Sequence, residues 1–219
     1  MMTNSIEGVR SSTTSEVQSS GATFLPVETD LAMQIKPNLI FTLLDDVGAG
    51  DLGYTSSDIR SPNMDKLAKE GIRLGRHYTY MWCAPSRAAL LTGRYPVYTG
   101  VYNYSGALYA LGEEFELLPA MLKRAGYATH AVGKWHLGFR EEKFLPTRRG
   151  FDSYFGFLNG GEDHFSHAGA GAGCGTVIDL WESATDGPAR DPAYFPKYST
   201  YMFQERATAI VEAHDTTSP

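Results

Sequence analysis

A cysteine at the start of a short helical pattern is the residue of this chain best suited to covalent chemistry. Residues 83–93 read CAPSRAALLTG, in which a proline fits the first helical turn and a glycine ends the helix. A helix N-terminus carries unpaired N–H groups and a partial positive charge, which favour an anionic nucleophile or an oxyanion. Arg87 follows Cys83 by four residues, so we expect it on the same helical face. The pattern predicts an anion pocket that holds a nucleophile.

Other interpretations of a single cysteine remain open at this point. A cysteine near a helix start is most often a small buried apolar side chain. A papain-like thiol would need a distant histidine and an asparagine or aspartate, and no local signature of that kind appears. The other cysteine, Cys174, lies in a run of glycine and alanine, where an inert loop thiol is favoured over a redox role. Two cysteines predict no disulfide framework.

Paired carboxylates follow an apolar run near the start of the chain. Apart from Thr42, the residues from Leu39 to Leu44 are apolar, which predicts a buried parallel strand, and Asp45 and Asp46 come directly after them. Adjacent carboxylates repel each other unless a cation neutralises them, and their oxygens are the ligands that Ca²⁺ and Mg²⁺ prefer. On their own, such residues are also common in solvated turns.

A third group of polar residues lies in the string GKWHLG at 133–138. Lys134 would supply a point charge for an anion, and His136 would move a proton near neutral pH. In an extended chain these two side chains share one face. Alone, the string would read as a surface turn. His130 is expected on the opposite side of its strand, in a structural role. No role is predicted for the remaining histidines, which are His77, His164, His167 and His214.

The elements that position these residues alternate between strands and helices. Helices are predicted from Ser61-Pro62 to a stop at Gly71, from Leu117 to Arg124 before Gly126, and from Thr200 to His214. Further strands are predicted at Ile72 to Tyr80 and Tyr127 to Val132. Such alternation predicts an α/β fold whose largely parallel sheet is sandwiched by helices. Active sites in such sheets gather at the carboxyl ends of strands, where Asp45, Asp46 and Lys134 fall.

Together these strings resemble the sulfatase family. Residues 83–93 match its signature C-x-P-S-R-x-x-L-L-T-G, and GYATHAVGKWHLG at 126–138 is similar to its second signature. PNLIFTLLDD at 37–46 resembles the family's first strand and acidic pair, and residues 145–156 are similar to the arylsulfatase B type. The resemblance covers residues 37 to 214. It implies the alkaline-phosphatase-like sulfatase fold, of which this chain would be a truncated N-terminal portion.

The resemblance implies a nucleophile made after translation. Cys83 would be oxidised to formylglycine by the formylglycine-generating enzyme, and an oxygen of the hydrated aldehyde would attack the sulfur of a sulfate ester. Arg87 and Lys134 would hold the diol and the sulfate. His136 would act as the base that expels sulfate in the second step.

The resemblance also implies a divalent metal bound by Asp45, Asp46 and the modified Cys83. Ca²⁺ is favoured over Mg²⁺ because its coordination sphere accepts many oxygens in irregular geometry. Family members are longer, and their distal half supplies a second Asp-Asn pair, a histidine and a lysine that are not located in this chain. The metal is therefore expected to bind weakly, and apolar surface is expected to be exposed.

The first 36 residues differ in composition from the rest. Residues 1–36 are expected to form a disordered segment because their N-terminal part is rich in Ser, Thr and Gly, and 37–219 form the sulfatase-like portion. No secretory signal peptide is visible, whereas the resemblance implies a lysosomal or secreted protein. Asn103-Tyr104-Ser105 is a possible glycosylation acceptor if the chain is secreted.

Composition excludes some partners. A net charge of −6 argues against nucleic acid, and no apolar run is long enough to span a membrane. The sequence therefore predicts a sulfuric ester hydrolase of arylsulfatase type that acts on sulfated sugars or aryl sulfates. One alternative is a truncated, inactive sulfatase-like module that binds a sulfated ligand. Another is a phosphonate or phosphodiester hydrolase of the alkaline-phosphatase type.

Overall fold

Helices form where local start and stop signals are strongest. The computed structural model describes residues 36–102, 109–171, 175–185 and 187–217. Its helices are α1 (Pro62–Glu70), α2 (Cys83–Thr92), α3 (Pro96–Thr99), α4 (Leu118–Arg124) and α5 (Ser199–Ala213). Proline occupies the first turn of α1, α3 and α4, where its missing N–H costs nothing. The predicted helices that correspond to α1, α2, α4 and α5 are confirmed.

The strands are short and form a mixed sheet. They are β1 (His130–Val132), β2 (Ser153–Gly156), β3 (Ala168–Gly171), β4 (Gly175–Ile178), β5 (Trp181–Glu182) and β6 (Gly187–Pro188). The sheet has the order β1-β2-β5-β6, and β3 and β4 form a separate antiparallel pair. Among the described strands, only the pairing of β1 with β2 is parallel. The α/β class is confirmed, and the described strands are more antiparallel than predicted.

Two predicted strands are absent from the described residues. The apolar run that ends at Leu44 has no regular secondary structure, and Ile40 and Phe41 are 81% and 68% exposed. Residues 72–80 are irregular as well. A strand needs neighbours to take up its N–H and C=O groups, and no described strand pairs with either segment. Asp45 and Asp46 therefore follow an irregular segment instead of a sheet strand.

Buried side chains form two clusters, one beneath α2 and one beneath α5. The first gathers small residues of α2 with Trp135 and aliphatic side chains, and its buried members are Ala84, Ala88, Val101, Leu111, Leu117, Trp135, Leu137, Leu145, Tyr154 and Leu158. The second contains Phe155, Leu180, Ala189 and Met202. The small side chains on α2 let the helix pack closely, which brings its N-terminus to the loop after β1.

The loop after β1 runs alongside the segment after β2. Backbone hydrogen bonds of 2.9 to 3.0 Å join Gly133 N to Phe155 O, Trp135 N to Phe157 O and His136 N to Leu158 O. A Cβ on Gly156 would lie 1.9 Å from the Gly133 oxygen, so the close approach requires glycine. The loop is therefore held by backbone contacts along its length.

Several sequence features fall outside the described residues. These are the N-terminal segment up to residue 35, the possible glycosylation acceptor at Asn103 and the second cysteine, Cys174. Among the described residues, no helix is long and apolar enough to cross a membrane.

Candidate functional site

Cys83 is the first residue of α2 and is a half-buried free thiol. Trp82, at the N-cap, makes no side-chain hydrogen bond to the helix, so its side chain does not cap the N–H groups of the first turn. The Ser86 hydroxyl donates to the Tyr80 carbonyl at 2.7 Å and fixes the chain that enters the helix. Gly93 ends α2 with a φ of 66°, as predicted. The thiol thus lies at a positive helix end.

Arg87 fastens α2 to the loop after β1. Its Nε donates to the carbonyl oxygen of Trp135 at 2.8 Å, and its Nη2 donates to that of Lys134. Burial lowers the pKa of the guanidinium, and the nearby charges of Asp45 and Cys83 oppose that shift. The predicted neighbourhood of Arg87 and Cys83 is present, and two donors of the guanidinium are engaged by backbone oxygens.

Lys134 connects this loop to the acidic pair. Its Nζ lies 2.6 Å from Asp45 Oδ2, and the two residues are 89 positions apart in the chain. The Lys134 side chain is 10% exposed and that of Asp45 is 42% exposed. A nearly buried ammonium is stabilised by a carboxylate partner. Residues from all three sequence strings are therefore brought together.

His136 is buried and has an unusual backbone conformation. It is 8% exposed and its φ is 56°, a left-handed value that costs a non-glycine residue about 1–2 kcal/mol. It therefore does not continue an extended chain from Lys134, and the extended backbone predicted for His136 is wrong. A Cβ on Gly160 would lie 2.7 Å from His136 Nε2, so the ring lies against that glycine. His136 also lines a cavity of about 20 Å³ with Ala84 and Asn159, room for one water.

The donor types at 45 and 46 fit a divalent cation, although they form only part of a coordination set. Asp46 is exposed and has a φ of 53°. Within the described ranges, no group of three or more His, Cys, Asp or Glu side chains is placed to hold a metal ion. Carboxylate oxygens suit Ca²⁺ or Mg²⁺, and Ca²⁺ takes about six to eight oxygen ligands. Asp45 and Asp46 could contribute two carboxylates to such a coordination set.

Other polar side chains support the loop and were not predicted from the sequence. The Tyr154 hydroxyl donates towards the carbonyl oxygens of Gly133 and Phe157, at 2.8 and 2.7 Å. Asp179 accepts hydrogen bonds from backbone N–H groups at 158 and 159. Apart from the contact of Tyr154 with Phe157, these contacts join residues about 20 positions apart, so no local pattern could have indicated them. His130 Nδ1 lies 2.7 Å from Ser153 Oγ at the sheet.

Comparison with known proteins gives consistent results. The family model described as Sulfatase matches residues 37–208. Arylsulfatase J of Mus musculus is 40% identical over 187 residues, which are 84% of this chain and 31% of the relative. N-acetylgalactosamine-6-sulfatase of Homo sapiens is 42% identical over 135 residues, which are 56% of this chain and 26% of the relative. The chain spans under a third of the length of these curated relatives.

Two solved structures resemble this chain over most of its length. The crystal structure of Ps i-CgsB has a TM-score of 0.68 and 30% identity, and the match covers 80% of this chain and 41% of that one. The structure of Ps i-CgsB in complex with k-i-k-neocarrahexaose has a TM-score of 0.66 and 30% identity, with 77% and 39% covered. These likenesses identify the alkaline-phosphatase-like sulfatase fold. Because the family model covers residues 37–208, this chain belongs to the sulfatase family.

Proposed function

We propose that this chain is the nucleophile-bearing portion of a sulfuric ester hydrolase that acts on sulfated sugars or aryl sulfates. The observation that carries the proposal is the junction of three segments: Arg87 of α2 binds the loop after β1, and Lys134 of that loop binds Asp45. This junction joins two cations, Arg87 and Lys134, to the helix that begins at Cys83. Such a pocket favours a sulfate group and the charge that develops when it is transferred.

Arg87 and Lys134 would hold the sulfate oxygens. The Lys134 ammonium is oriented by Asp45, and the Arg87 guanidinium is fixed by two carbonyl oxygens, so both charges are pre-positioned. Pre-positioned charges in a partly buried pocket stabilise a transition state without reorganisation. Water still reaches both residues in part, since the Lys134 side chain retains a small exposed fraction and Arg87 is half-buried.

Two groups would be added to this framework. Formylglycine at position 83 would supply a hydrated aldehyde that takes up the sulfuryl group covalently. Asp45 and Asp46, with the oxygen at position 83, would hold Ca²⁺, which would supply positive charge next to the nucleophile. The formylglycine-generating enzyme is accordingly a proposed maturation partner. Asp45 would exchange part of its contact with Lys134 for the metal.

His136 would hold and move the proton that the second step requires. Its imidazole is buried against Gly160 and borders a cavity that accommodates about one water. A histidine titrates in the range where a base is needed near neutral pH. The ring would accept a proton at an imidazole nitrogen, and a water in the adjacent cavity would be its neighbour.

The substrate class is proposed from the relatives' names. N-acetylgalactosamine-6-sulfatase is named for a sulfated amino sugar, and Ps i-CgsB has been crystallised with k-i-k-neocarrahexaose, an oligosaccharide by its name. We propose a sulfated sugar for this chain, with aryl sulfates as convenient test substrates. A lysosomal or secreted location is proposed from membership of the sulfatase family.

The test combines modification and turnover. The chain is co-expressed with a formylglycine-generating enzyme, the peptide containing Cys83 is analysed by mass spectrometry, and hydrolysis of an aryl sulfate is measured with Ca²⁺ present. We expect the aldehyde at position 83 and turnover that Cys83→Ala abolishes. An unmodified thiol in an active protein, or full activity of Cys83→Ala, would exclude this mechanism.

Binding of a sulfated sugar without turnover is a second candidate. It is favoured by one observation: the described residues provide two cations for sulfate but no three-ligand metal group. Calorimetry with a sulfated disaccharide and its desulfated counterpart distinguishes the candidates. Binding that depends on Lys134 and Arg87, in a chain that releases no sulfate, would support the binding module over the hydrolase.

A further inference from the structure

Asp179 lies directly after β4, outside all the sequence strings described above, yet its carboxylate is directed at the loop that meets His136. Oδ1 accepts the N–H of Leu158 at 2.9 Å, and Oδ2 accepts the N–H of Asn159 at 2.8 Å. Both donating residues, Leu158 and Asn159, are buried, and Asp179 is half-buried. One carboxylate therefore binds two consecutive backbone groups that lie about 20 residues away.

The carboxylate is held there against the cost of burial. Removal from water raises the pKa of Asp179, and the hydrogen bonds from Leu158 and Asn159 oppose that shift. Its own N–H donates to the His167 carbonyl at 2.7 Å, so its backbone is anchored as well. His167 is fully buried, and its Nε2 lies 2.9 Å from the Tyr194 oxygen. The hydrogen bonds that hold Asp179 thus continue through buried His167 to Tyr194.

The same loop contacts His136 at two points. The Leu158 carbonyl accepts the N–H of His136 at 3.0 Å, and Gly160 lies against the imidazole. His136 has the left-handed backbone described above, and such a conformation persists only where its surroundings fix it. Leu158 binds Asp179 through its N–H and His136 through its C=O, so it transmits the restraint directly.

We propose that Asp179 is a positioning residue for His136: by fixing Leu158 and Asn159, it holds His136 in its left-handed conformation with the ring against Gly160. The proposal rests on the function proposed above insofar as His136 is the base. The restraint of His136 through the loop does not depend on catalytic activity, so it can be tested in an inactive chain. Asp179 itself touches neither the sulfate nor the nucleophile.

The test compares Asp179→Asn with Asp163→Asn. Asparagine keeps one acceptor and presents an NH₂ group to the other amide, so it breaks the double contact. Asp163 is exposed and accepts bonds from Phe165 and Ser166 within its own turn, so its replacement removes the same charge without touching 158–159. Amide hydrogen exchange is measured at Leu158, Asn159 and His136, with the amides of α5 as the reference for global opening.

We expect exchange at those three amides to accelerate about tenfold or more in Asp179→Asn, as the loss of a buried hydrogen bond implies, while α5 is unchanged. Asp163→Asn should leave all of them unchanged. Unaltered exchange at His136, or equal acceleration throughout α5, would overturn the proposal. If Asp179→Asn does not fold, Asp179→Ala, which removes both acceptors without placing an NH₂ group against an amide, is measured against the same criteria.

The kinetic measurement separates positioning from a loss of folded protein. His136 would act after sulfate has been transferred, so Asp179→Asn should lower kcat, leave KM unchanged or lower, and preserve the initial burst of alcohol product. A smaller folded fraction would reduce the burst and the steady rate in equal proportion, and that result would overturn the proposal. A chain that hydrolyses nothing but shows the exchange effect refutes the proposed function and supports the positioning role.

Discussion

At position 160, the absence of a side chain leaves the space in which the His136 imidazole lies. A Cβ there would come within 2.8 Å of both Nε2 and Cε1 of the ring, whereas a Cβ on Gly161 would meet nothing within 4 Å. Neighbouring glycines therefore differ in the space around them, although the sequence presents them as an identical pair. This difference allows the position of the ring to be tested with minimal chemical change.

We predict that Gly160→Ala displaces the imidazole and lowers the steady-state rate of sulfate ester hydrolysis by about tenfold or more, as displaced catalytic groups do. Gly161→Ala is the matched control and should retain the rate. Both variants should unfold at similar urea concentrations because the displaced group is a side-chain end. Equal rates in the two variants would contradict the position assigned to the His136 ring.

Arg87 provides the second test at the residue scale. Lysine in its place offers a single ammonium and cannot donate to the carbonyls of Lys134 and Trp135 with fixed geometry. We expect Arg87→Lys to reduce the free energy of unfolding by roughly 1.5–3 kcal/mol, the range for hydrogen bonds to charged groups. Urea denaturation checks this, with exposed Arg60→Lys as a control that should change little.

At the scale of elements, α2 depends on its stop residue. Gly93 has a φ of 66°, and its N–H donates to the Ala89 carbonyl. We predict that Gly93→Ala lowers the free energy of unfolding by about 1–2 kcal/mol, because the added Cβ strains a left-handed residue. Gly75→Ala is the control, since its Cβ would have open space and its φ is not left-handed. Thermal or urea unfolding of both variants gives the comparison.

Four of the five described helices were predictable, whereas two predicted strands are irregular in the described residues, and both outcomes have one physical reason. Proline starts and glycine stops are local signals, and they located α1 and α2. The run from Leu39 to Leu44 has the composition of a buried strand, but a strand also requires partners, which no local pattern specifies. The two-residue strands β5 and β6 are too short to have any periodicity.

For the candidate site, the residue types were predictable from the sequence, whereas several of the contacts that position them were not. Residue types at 83, 87, 134 and 136 indicated an anion site and a proton carrier, and the contact of Lys134 with Asp45 shows that the segments meet. The acceptors of Arg87 and the double contact of Asp179 were not predictable, because backbone carbonyls and amides are the same at every residue. The conformation of His136 is likewise a product of tertiary contacts.

For the whole molecule, Glu162 predicts how stability depends on pH. Its side chain is fully buried, and Oε2 lies 3.5 Å from His167 Nδ1. Burial raises its pKa from 4.5 to about 7, while the Ser199 hydroxyl and His164 oppose that shift. Between these two pH values the folded state therefore binds more protons than the unfolded state. The contribution of Glu162 to the free energy of unfolding is fully present below about pH 4.5 and declines as the pH rises towards 7.

We predict that Glu162→Gln removes this decline, which is on the order of 2 kcal/mol after allowance for solvent screening. Urea denaturation at about pH 4 and pH 8 measures it, the two values lying on either side of the transition. Glu212→Gln, an exposed site on α5, should retain the dependence of the parent chain. A parent chain with equal stability at both pH values would refute the role of Glu162.

Exposed apolar side chains also have a consequence for the whole molecule. Ile40 is 81% exposed and Ile72 is 93% exposed, with Phe41 and Leu74 exposed as well. Such patches promote association. We predict that the chain binds an apolar dye and self-associates as its concentration rises, and that Ile40→Lys with Ile72→Lys reduces both. Sedimentation velocity and dye fluorescence measure this, and a monomer at every concentration would contradict it.

The attachment of Arg87 to backbone oxygens bears on how this site tolerates mutation. Any residue at 134 presents a carbonyl, so replacing the Lys134 side chain leaves that acceptor of the guanidinium in place. The Trp135 side chain belongs to the buried cluster, so its replacement would disturb the loop as well. A substitution at 134 would alter the chemistry of the loop while preserving its attachment to α2, whereas a change at position 87 removes the attachment itself. Position 134 could therefore diversify during evolution without the loop losing its place beside the nucleophile.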